Sequence, residues 1–300
     1  MKRRDFLKIT AATSGALMTG DALASTGKTH IDDSRVLGVL VDTTTCIGCR
    51  KCEWACNQAN KLPSQDIKAF DDKTVFKDHR RPTDSAYTVV NTYPDSGYPE
   101  KLRYLKVQCM HCNDPACVSA CIVGAFKKTE LGPVTYDAWK CMGCRYCMVA
   151  CPFQVPAYEY SNALTPRVVK CSFCSERITK ENKMPACVEI CPNEALTFAT
   201  RKDLLELAHA RIIQSPGRYN EQIYGEHEVG GTSWLYLAGA DFAVTELPKL
   251  DERPIPERTE SIQHGIFKSF VPPIALYGLL TLAMHSFKNR GSNGGDHEHS

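Results

Sequence analysis

Apolar residues are most concentrated near the C-terminus of the chain. Phe270 to Phe287 reads FVPPIALYGLLTLAMHSF, a stretch of 18 residues without Asp, Glu, Lys or Arg. As an α-helix it would be about 27 Å long, close to the hydrocarbon thickness of a bilayer. It predicts a single transmembrane anchor within residues 266–290, followed by a polar tail over residues 291–300. A buried or interfacial helix is the alternative, and His285 and Ser286 favour it.

Elsewhere the apolar and polar residues follow shorter patterns. Lys202 to Arg211 has the apolar spacing of an amphipathic helix. Between Cys121 and Cys141 the pattern predicts a strand, a turn at Gly132-Pro133 and a second strand, which together make a β-hairpin. Leu62 to Tyr98 is polar and contains Pro and Gly, which predicts an inserted surface loop suited to docking a partner. This mixture of elements predicts an α+β fold.

The N-terminus has the pattern of an export signal. Arg3 and Arg4 are followed by Phe-Leu-Lys, a mildly apolar stretch and the small residues Ala22-Leu23-Ala24. This order predicts a cleavable twin-arginine signal over residues 1–24, rather than an amphipathic helix with a chance arginine pair. Twin-arginine export carries proteins that have already folded around their cofactors. Together with the anchor, it predicts a body at the periplasmic face of the bacterial inner membrane and a cytoplasmic tail.

The cysteines are the strongest chemical signal in the sequence. There are 16 of them in 300 residues, and they form four groups of four. In chain order the groups are Cys46, Cys49, Cys52 and Cys56; Cys109, Cys112, Cys117 and Cys121; Cys141, Cys144, Cys147 and Cys151; and Cys171, Cys174, Cys187 and Cys191.

The spacing within the groups indicates [4Fe–4S] clusters. The first and third groups have the spacing C-x2-C-x2-C-x3-C, which holds one cluster through three thiolates and lends the fourth to a neighbouring cluster. Cys151 is therefore expected to bind a different cluster from the other three cysteines of its group. The second and fourth groups resemble each other as well, in CVSACIVGAF and CVEICPNEAL. Since a two-cluster ferredoxin unit needs two such runs, the chain predicts two units and four clusters.

Spacing alone leaves a sequential and a nested pairing of the groups open. A hairpin between Cys121 and Cys141 suits a connection inside one unit, and this favours the nested arrangement. Two bacterial-ferredoxin-like units would then be present, one inserted into the other. The boundaries predicted on this basis are 25–265 for the body, 36–60 with 167–200 for the outer unit, 101–166 for the inner unit and 201–265 for a C-terminal extension.

Other residues near the cysteines have competing interpretations. Gly48 and Gly143 would let the backbone approach a cluster, or would serve ordinary turns. His111 lies inside a C-x2-C pair, where a positioning or surface role is favoured over metal binding. Trp54 and Trp139 flank cysteines and are expected to pack against the clusters and exclude water.

Two other uses of the thiols compete with iron–sulfur clusters. An exported chain with an even number of cysteines could be a disulfide scaffold, but closely spaced triplets suit disulfides poorly. Zinc sites take their four cysteines as two pairs from separate knuckles. Both structural alternatives are therefore disfavoured.

Composition and charge argue against a nucleic-acid partner. Hydrophobic residues make up 43% of the chain, enough for a buried core, and the formal net charge is +2. The first 24 residues contribute four Lys/Arg and two acids, so that the remainder is formally neutral. Each oxidised four-thiolate cluster would add a charge of about −2. The loaded protein would be acidic.

The cysteine groups resemble the four-cluster electron-transfer subunits of respiratory oxidoreductases. The segments QCMHCNDPACVSAC, YGEHEVGGT and IQHGIFKSFVPPIALYGLL are similar to the hydrogenase-2 branch of that family. The resemblance implies a non-catalytic electron carrier. It would pass electrons between a nickel–iron hydrogenase, made of a small and a large subunit, and an integral membrane quinone-reactive subunit. The electron-transfer subunit of a formate dehydrogenase, or of another molybdopterin oxidoreductase, is the second candidate.

The same resemblance implies a ligand set for each of the four [4Fe–4S] clusters. The implied sets are Cys46, Cys49, Cys52 and Cys191; Cys56, Cys171, Cys174 and Cys187; Cys109, Cys112, Cys117 and Cys151; and Cys121, Cys141, Cys144 and Cys147.

Overall fold

The computed structural model describes residues 33–95, 102–162, 164–259 and 276–284. The predicted export signal, with Arg3 and Arg4, lies outside these residues. So do most of the predicted anchor and the whole of the tail. The described part has the mixed helix and strand content expected of an α+β protein.

The regular elements are short and alternate along the chain. The strands are β1 (Leu37–Asp42), β2 (Val89–Pro94), β3 (Leu102–Val107), β4 (Phe126–Lys128), β5 (Val134–Tyr136), β6 (Ala157–Tyr158), β7 (Val168–Val169), β8 (Leu196–Thr200) and β9 (Trp234–Leu237). The α-helices are α1 (Lys51–Ala59), α2 (Ala116–Ser119), α3 (Tyr146–Ala150), α4 (Ser175–Glu181), α5 (Ala186–Glu189) and α6 (Arg201–Gln214). Single 3₁₀ turns occur at Ile67–Asp71, Thr74–Lys77, Glu228–Gly230 and Phe242–Val244.

The largest sheet among the described residues has three strands, in the order β8-β1-β9. β1 pairs antiparallel with β8 and parallel with β9, so that Val39 lies opposite both Phe198 and Trp234. Val39, Leu40 and Val41 are all buried. A continuous apolar run of this kind is typical of a strand that is covered on both faces.

Helix α6 covers one face of this sheet. The Thr200 side chain accepts a hydrogen bond from the Asp203 amide and caps the helix, an interaction that stabilises such helices by about 1 kcal/mol. Leu204 and Ala208 pack in one apolar cluster with Leu40 of β1. The predicted helix over residues 202–211 is confirmed, and it extends further at both ends.

The same pair of strands occurs in both halves of the cysteine array. The hairpin predicted between Cys121 and Cys141 is confirmed: β4 and β5 pair antiparallel, with Lys128 opposite Val134. β4 follows the second cysteine group as β8 follows the fourth, and β5 precedes the third group as β1 precedes the first. The β1–β8 pair and the β4–β5 pair are therefore equivalent parts of an internal repeat.

Residues 62–95, the described part of the predicted loop, are less irregular than predicted. Val89–Pro94 forms a strand that pairs with β3, and Val89, Val90 and Tyr93 are buried. The prediction of a surface loop is therefore wrong for Val89–Pro94. β-Branched and aromatic residues favour a strand there, and the polar character of the preceding residues obscured them.

Residues 276–284 form a short helix near the C-terminus. Its large apolar side chains, including Leu276, Tyr277, Leu280 and Leu282, are exposed. Among the residues described, no helix has both the length and the apolar character needed to cross a membrane.

Candidate iron–sulfur sites

Helix packing brings the four cysteine groups together in two pairs. Helix α1, which carries the end of the first group, packs against α5 in the fourth group. Helix α2 in the second group packs against α3 in the third. The first group therefore lies with the fourth, and the second with the third.

The first collection of neighbouring thiols is Cys46, Cys49, Cys52 and Cys191, called set 1 below. All four line one cavity. Burial raises the pKa of Cys46 to about 11, the Gly48 amide opposes this rise, and the charges of Cys191 and Cys49 add to it. The thiols of set 1 are therefore close enough to influence one another.

Set 2 comprises Cys56, Cys171, Cys174 and Cys187. Burial raises the pKa of Cys56, and the charges of the other three thiols of the set raise it further. Cys56 follows the three set 1 cysteines of its own group in sequence, and its thiol neighbours in space belong to the fourth group.

Set 3 comprises Cys109, Cys112, Cys117 and Cys151. The pKa of Cys112 is raised by burial and then by Cys151, Cys109 and Cys117, in that order. Cys151 thus lies with thiols of the second group, although it belongs to the third in sequence.

Set 4 comprises Cys121, Cys141, Cys144 and Cys147. Burial raises the pKa of Cys147 to about 11, and the charges of Cys141, Cys121 and Cys144 raise it further. The Ala125 amide donates a hydrogen bond of 3.1 Å to the Sγ of Cys121.

Thiols of different sets also influence one another, and these interactions arrange the four sets in a row. Cys52 of set 1 is influenced by Cys187 of set 2. Cys171 of set 2 is influenced by Cys109 of set 3, and Cys117 of set 3 by Cys147 of set 4. These interactions link the sets in the order 1, 2, 3, 4, with sets 1 and 4 at the ends.

The cysteines form no disulfides in the described structure. All 16 cysteines lie within the described residues, and each is a free thiol. In the same part of the chain, no three His, Cys, Asp or Glu side chains converge closely enough to hold a single metal ion.

The backbone turns in the same way in every cysteine group. The residue before the second cysteine has a left-handed conformation in all four: φ is 63° at Gly48, 49° at His111, 74° at Gly143 and 57° at Phe173. The turn directs amides toward sulfur, and the Phe173 amide lies 3.4 Å from the Sγ of Cys171. Such hydrogen bonds to the sulfurs are one of the means by which a protein tunes a cluster.

The two glycines in these turns have different steric surroundings. A Cβ added at Gly48 would overlap the ring of Tyr104, whereas at Gly143 the nearest atom, the Tyr158 hydroxyl, would be 3.5 Å away. Gly48 is therefore required both by its neighbour and by its backbone conformation, and Gly143 by its conformation alone.

Three lysines that the sequence did not single out lie among the sets. Lys106 and Lys170 are buried, and Lys128 is partly buried. None of the ion pairs found among the described residues includes any of the three. A buried charge is costly unless a counter-charge accompanies it. The lysines therefore fit sites that hold anionic groups, which thiolate-ligated iron–sulfur clusters are.

The charges of the thiolates and the lysines act on each other. Burial alone would lower the pKa of Lys106, but the thiolates of Cys187 and Cys52 outweigh it, and the pKa is raised. At Lys128 burial prevails and lowers the pKa to about 8, although Cys112 opposes the change.

His111 has a positioning role rather than a surface role. Its side chain is fully buried, and its Nδ1 accepts a hydrogen bond of 2.9 Å from the amide of Val134. Burial, with the charges of Lys170 and Lys128, lowers its pKa, so that the ring is neutral. The imidazole joins the second cysteine group to strand β5.

Trp139 does not pack against the cysteines as predicted, because its side chain is 94% exposed. Trp54 is only half-buried. Cys144 is exposed as well, and several large apolar residues next to the set 4 cysteines in sequence are exposed with it. These residues, called the Trp139 face below, are Ile122, Trp139, Met142, Tyr146 and Val149.

Comparison with known proteins identifies the class. Residues 100–201 match the family model of the 4Fe-4S dicluster domain. Together with the cysteine-bearing repeat, this match defines a ferredoxin-type [4Fe–4S] protein.

Relatives over most of the chain identify the family. A protein of Nitratidesulfovibrio vulgaris is 50% identical over 86% of this chain and 70% of its own length. The hydrogenase-2 operon protein HybA of Escherichia coli O157:H7 is 37% identical, and the alignment covers 100% of both chains. The iron–sulfur subunit of the nitrate-inducible formate dehydrogenase of Escherichia coli K12 is 34% identical over 66% of each chain. The chain belongs to the HybA family of iron–sulfur electron-transfer subunits.

Proposed function

We propose that the protein relays electrons between a periplasmic nickel–iron hydrogenase and an integral membrane quinone-reactive subunit. The observation that carries this proposal is the row of four thiol sets. When bound, four [4Fe–4S] clusters supply one-electron carriers at these sets. The chain itself makes and breaks no substrate bond on this proposal.

Each set would hold one cluster through its four thiolates. The mutual influence of the thiols within each set supports this assignment. The nested pairing of the two ferredoxin-like units has the same support, since helix α1 packs on α5 and helix α2 on α3. The chain's own contribution is to hold the thiolates at fixed spacing, to donate amide hydrogen bonds to them and to place lysines beside them.

The extent of the similarity favours a hydrogenase over a formate dehydrogenase as the partner. The alignment with the hydrogenase-2 protein covers 100% of this chain, whereas the alignments with formate dehydrogenase subunits cover 66% to 80% of it. The small and large subunits of a nickel–iron hydrogenase are the proposed electron-exchange partners. A formate dehydrogenase or another molybdopterin oxidoreductase remains the second candidate.

Export and anchoring belong to the same proposal. Arg3 and Arg4 would direct twin-arginine export, and Phe270 to Phe287 would anchor the body at the periplasmic face of the inner membrane. The exposed apolar side chains of residues 276–284 support an apolar environment for the middle of this segment. If the segment is an anchor, alkaline carbonate should leave the protein in the membrane fraction. Replacement of both arginines by lysine should keep the protein in the cytoplasm.

Metal analysis of anaerobically purified protein tests the central proposal. Four clusters require about 16 iron and about 16 acid-labile sulfide per chain. Nickel in the co-purifying complex would support the hydrogenase, whereas molybdenum would support the second candidate. If the protein contains little iron and no sulfide although it has been kept from air, the proposed electron relay is contradicted.

A further inference from the structure

Lys106 lies on β3, and its ammonium group is held by neutral groups. The residue is only 3% exposed. Its Nζ donates a hydrogen bond of 2.8 Å to Oε1 of Gln108 and lies 4.4 Å from the ring centroid of Trp234. Gln108 in turn donates a hydrogen bond of 2.6 Å to the hydroxyl of Tyr236. These contacts fix the position of the positive charge without neutralising it.

The charge of Lys106 lies beside sets 1 and 2, the two sets of the outer ferredoxin-like unit. Lys106 lines the cavity that the four cysteines of set 1 line. It interacts most strongly with Cys187 and Cys171 of set 2 and with Cys52 of set 1. One buried cation is therefore shared by the two sets at one end of the row.

Lys170 is the counterpart of Lys106 in the other half. Its Nζ donates hydrogen bonds of 2.7 Å to the carbonyl of Val134 and 3.2 Å to that of Cys171, and it lies 5.8 Å from the ring centroid of Phe126. Its charge acts on Cys117 of set 3. Each lysine interacts with the half of the array to which its neighbours in sequence do not belong. Lys106 precedes the second cysteine group but lies beside sets 1 and 2. Lys170 precedes the fourth group but interacts with set 3.

We propose that Lys106 is a positioning residue that raises the reduction potentials of the groups held by sets 1 and 2 together. The inference rests on the proposed function. A fixed positive charge in a region of low dielectric stabilises the form that carries one more negative charge. In the exchange, one electron leaves a reduced neighbouring carrier, which is oxidised, and arrives at set 1 or 2; no bond forms and no proton moves. Lys106 therefore favours electrons on the outer half of the row.

Redox titration of the complete complex, followed by electron paramagnetic resonance, tests the role of Lys106. Lys106→Met keeps the length of the side chain and removes its charge, and Lys106→Arg keeps the charge. We expect Lys106→Met to lower the equilibrium constant for reduction of two of the four groups at least about tenfold, which is about 59 mV for a one-electron couple. Lys106→Arg should shift them much less. Lys170→Met should act chiefly on a different signal, and Lys202→Met, at a position where the lysine side chain is 61% exposed, should shift none.

The possible outcomes separate this inference from the proposed function. Wild-type protein without iron and sulfide would overturn the proposed function itself. Full loading of Lys106→Met with four unchanged potentials would overturn only the role of Lys106, as would equal shifts of all four potentials. If Lys106→Met does not take up iron and sulfide, the variants Lys106→Gln and Lys106→Arg are compared instead. The inference is supported if both take up iron and sulfide and only the glutamine variant has shifted potentials. It is contradicted if the two variants behave identically.

Discussion

The two halves of the cysteine array are built on the same pair of strands but are covered very differently. In the outer half, β9 extends the β1–β8 pair and α6 packs over it, so that Leu40 is completely buried. In the inner half, β4 and β5 form only a two-stranded sheet. Beside it Cys144 is exposed and Trp139 is 94% exposed.

The difference teaches how one module can serve two purposes in an electron carrier. The more covered half holds Lys106 in a region of low dielectric, while its set 1 thiols remain partly exposed. The inner end leaves the Cys144 thiol near solvent, where a partner can approach. A relay needs such access for partners at the ends of its row.

The largest effect should come from removing a thiol in the covered half. Cys187→Ala removes a buried thiol of set 2 that also neighbours set 1, and we expect the loss of about four iron per chain together with a lower Tm. Cys144→Ala should lose a similar amount of iron with a smaller change in Tm, because its position is exposed. Iron analysis and anaerobic thermal unfolding measure both effects. Equal losses of stability in the two variants would show that the halves do not differ in this respect.

The packing that covers the outer half should itself account for much of the stability. Leu204→Ala deletes a side chain that is 0% exposed between α6 and the sheet, and such deletions cost about 2–5 kcal/mol of unfolding free energy. Val149→Ala, at an 82% exposed position in the inner half, should stay within about 0.5 kcal/mol. Urea unfolding under anaerobic conditions compares the two variants. A cost below 1 kcal/mol for Leu204→Ala would mean that α6 is not an essential cover.

The Trp139 face should matter for partners and not for folding. Trp139→Ala should leave Tm unchanged but weaken the association of the inner end with a redox subunit of the complex, by about 2 kcal/mol if Trp139 is a central contact. The control is Ile213→Ala, which also truncates a large apolar side chain, at a 75% exposed position on α6. Co-purification and the rate of electron transfer in isolated membranes are the measurements. If both variants retain the full complex, the exposed face has another explanation.

The smallest effect concerns an ion pair of the inner half. Hydrogen bonds from Arg167 lower the pKa of Glu159, with Arg167 Nε 2.9 Å from both carboxylate oxygens. A lowered folded-state pKa stabilises the protein above the unfolded value of about 4.3, and this stability is lost as the pH falls through the folded-state value. Because Arg167 is 55% exposed, solvent screening limits the contribution to about 0.2–1 kcal/mol.

Unfolding free energies between pH 6 and the acid limit test this prediction. Glu159→Gln should lose a few tenths of a kcal/mol near pH 6 and converge with the wild type in acid. Glu176→Gln, which breaks a pair in which both side chains are largely exposed, is the control and should change little at any pH. A constant difference between Glu159→Gln and the wild type at all pH values would rule out titration of Glu159 as its cause.

Local sequence predicted the elements whose signals are contained in a few neighbouring residues. The hairpin around Gly132-Pro133 and the helix beginning near Lys202 were predicted because turn residues and apolar periodicity act over one or two turns of chain. The strand Val89–Pro94 was missed, because a polar preceding segment obscured its short run of strand-forming residues. The prediction for Trp139 is wrong, because the position of an aromatic residue near a cysteine in sequence does not show whether its side chain points to the core or to solvent.

The sequence by itself determined the chemistry: 16 thiols in repeated short spacings, and therefore soft ligands suited to iron–sulfur clusters. The predicted hairpin already favoured the nested pairing, but only the tertiary structure decided how the sets follow one another and where the unpaired lysines lie. Ligand spacing within a run is set by local backbone turns, such as those at Gly48 and His111. The grouping of Cys56 with Cys171, and the place of Lys106 beside both, depend on packing between segments far apart in the chain, which no local pattern encodes.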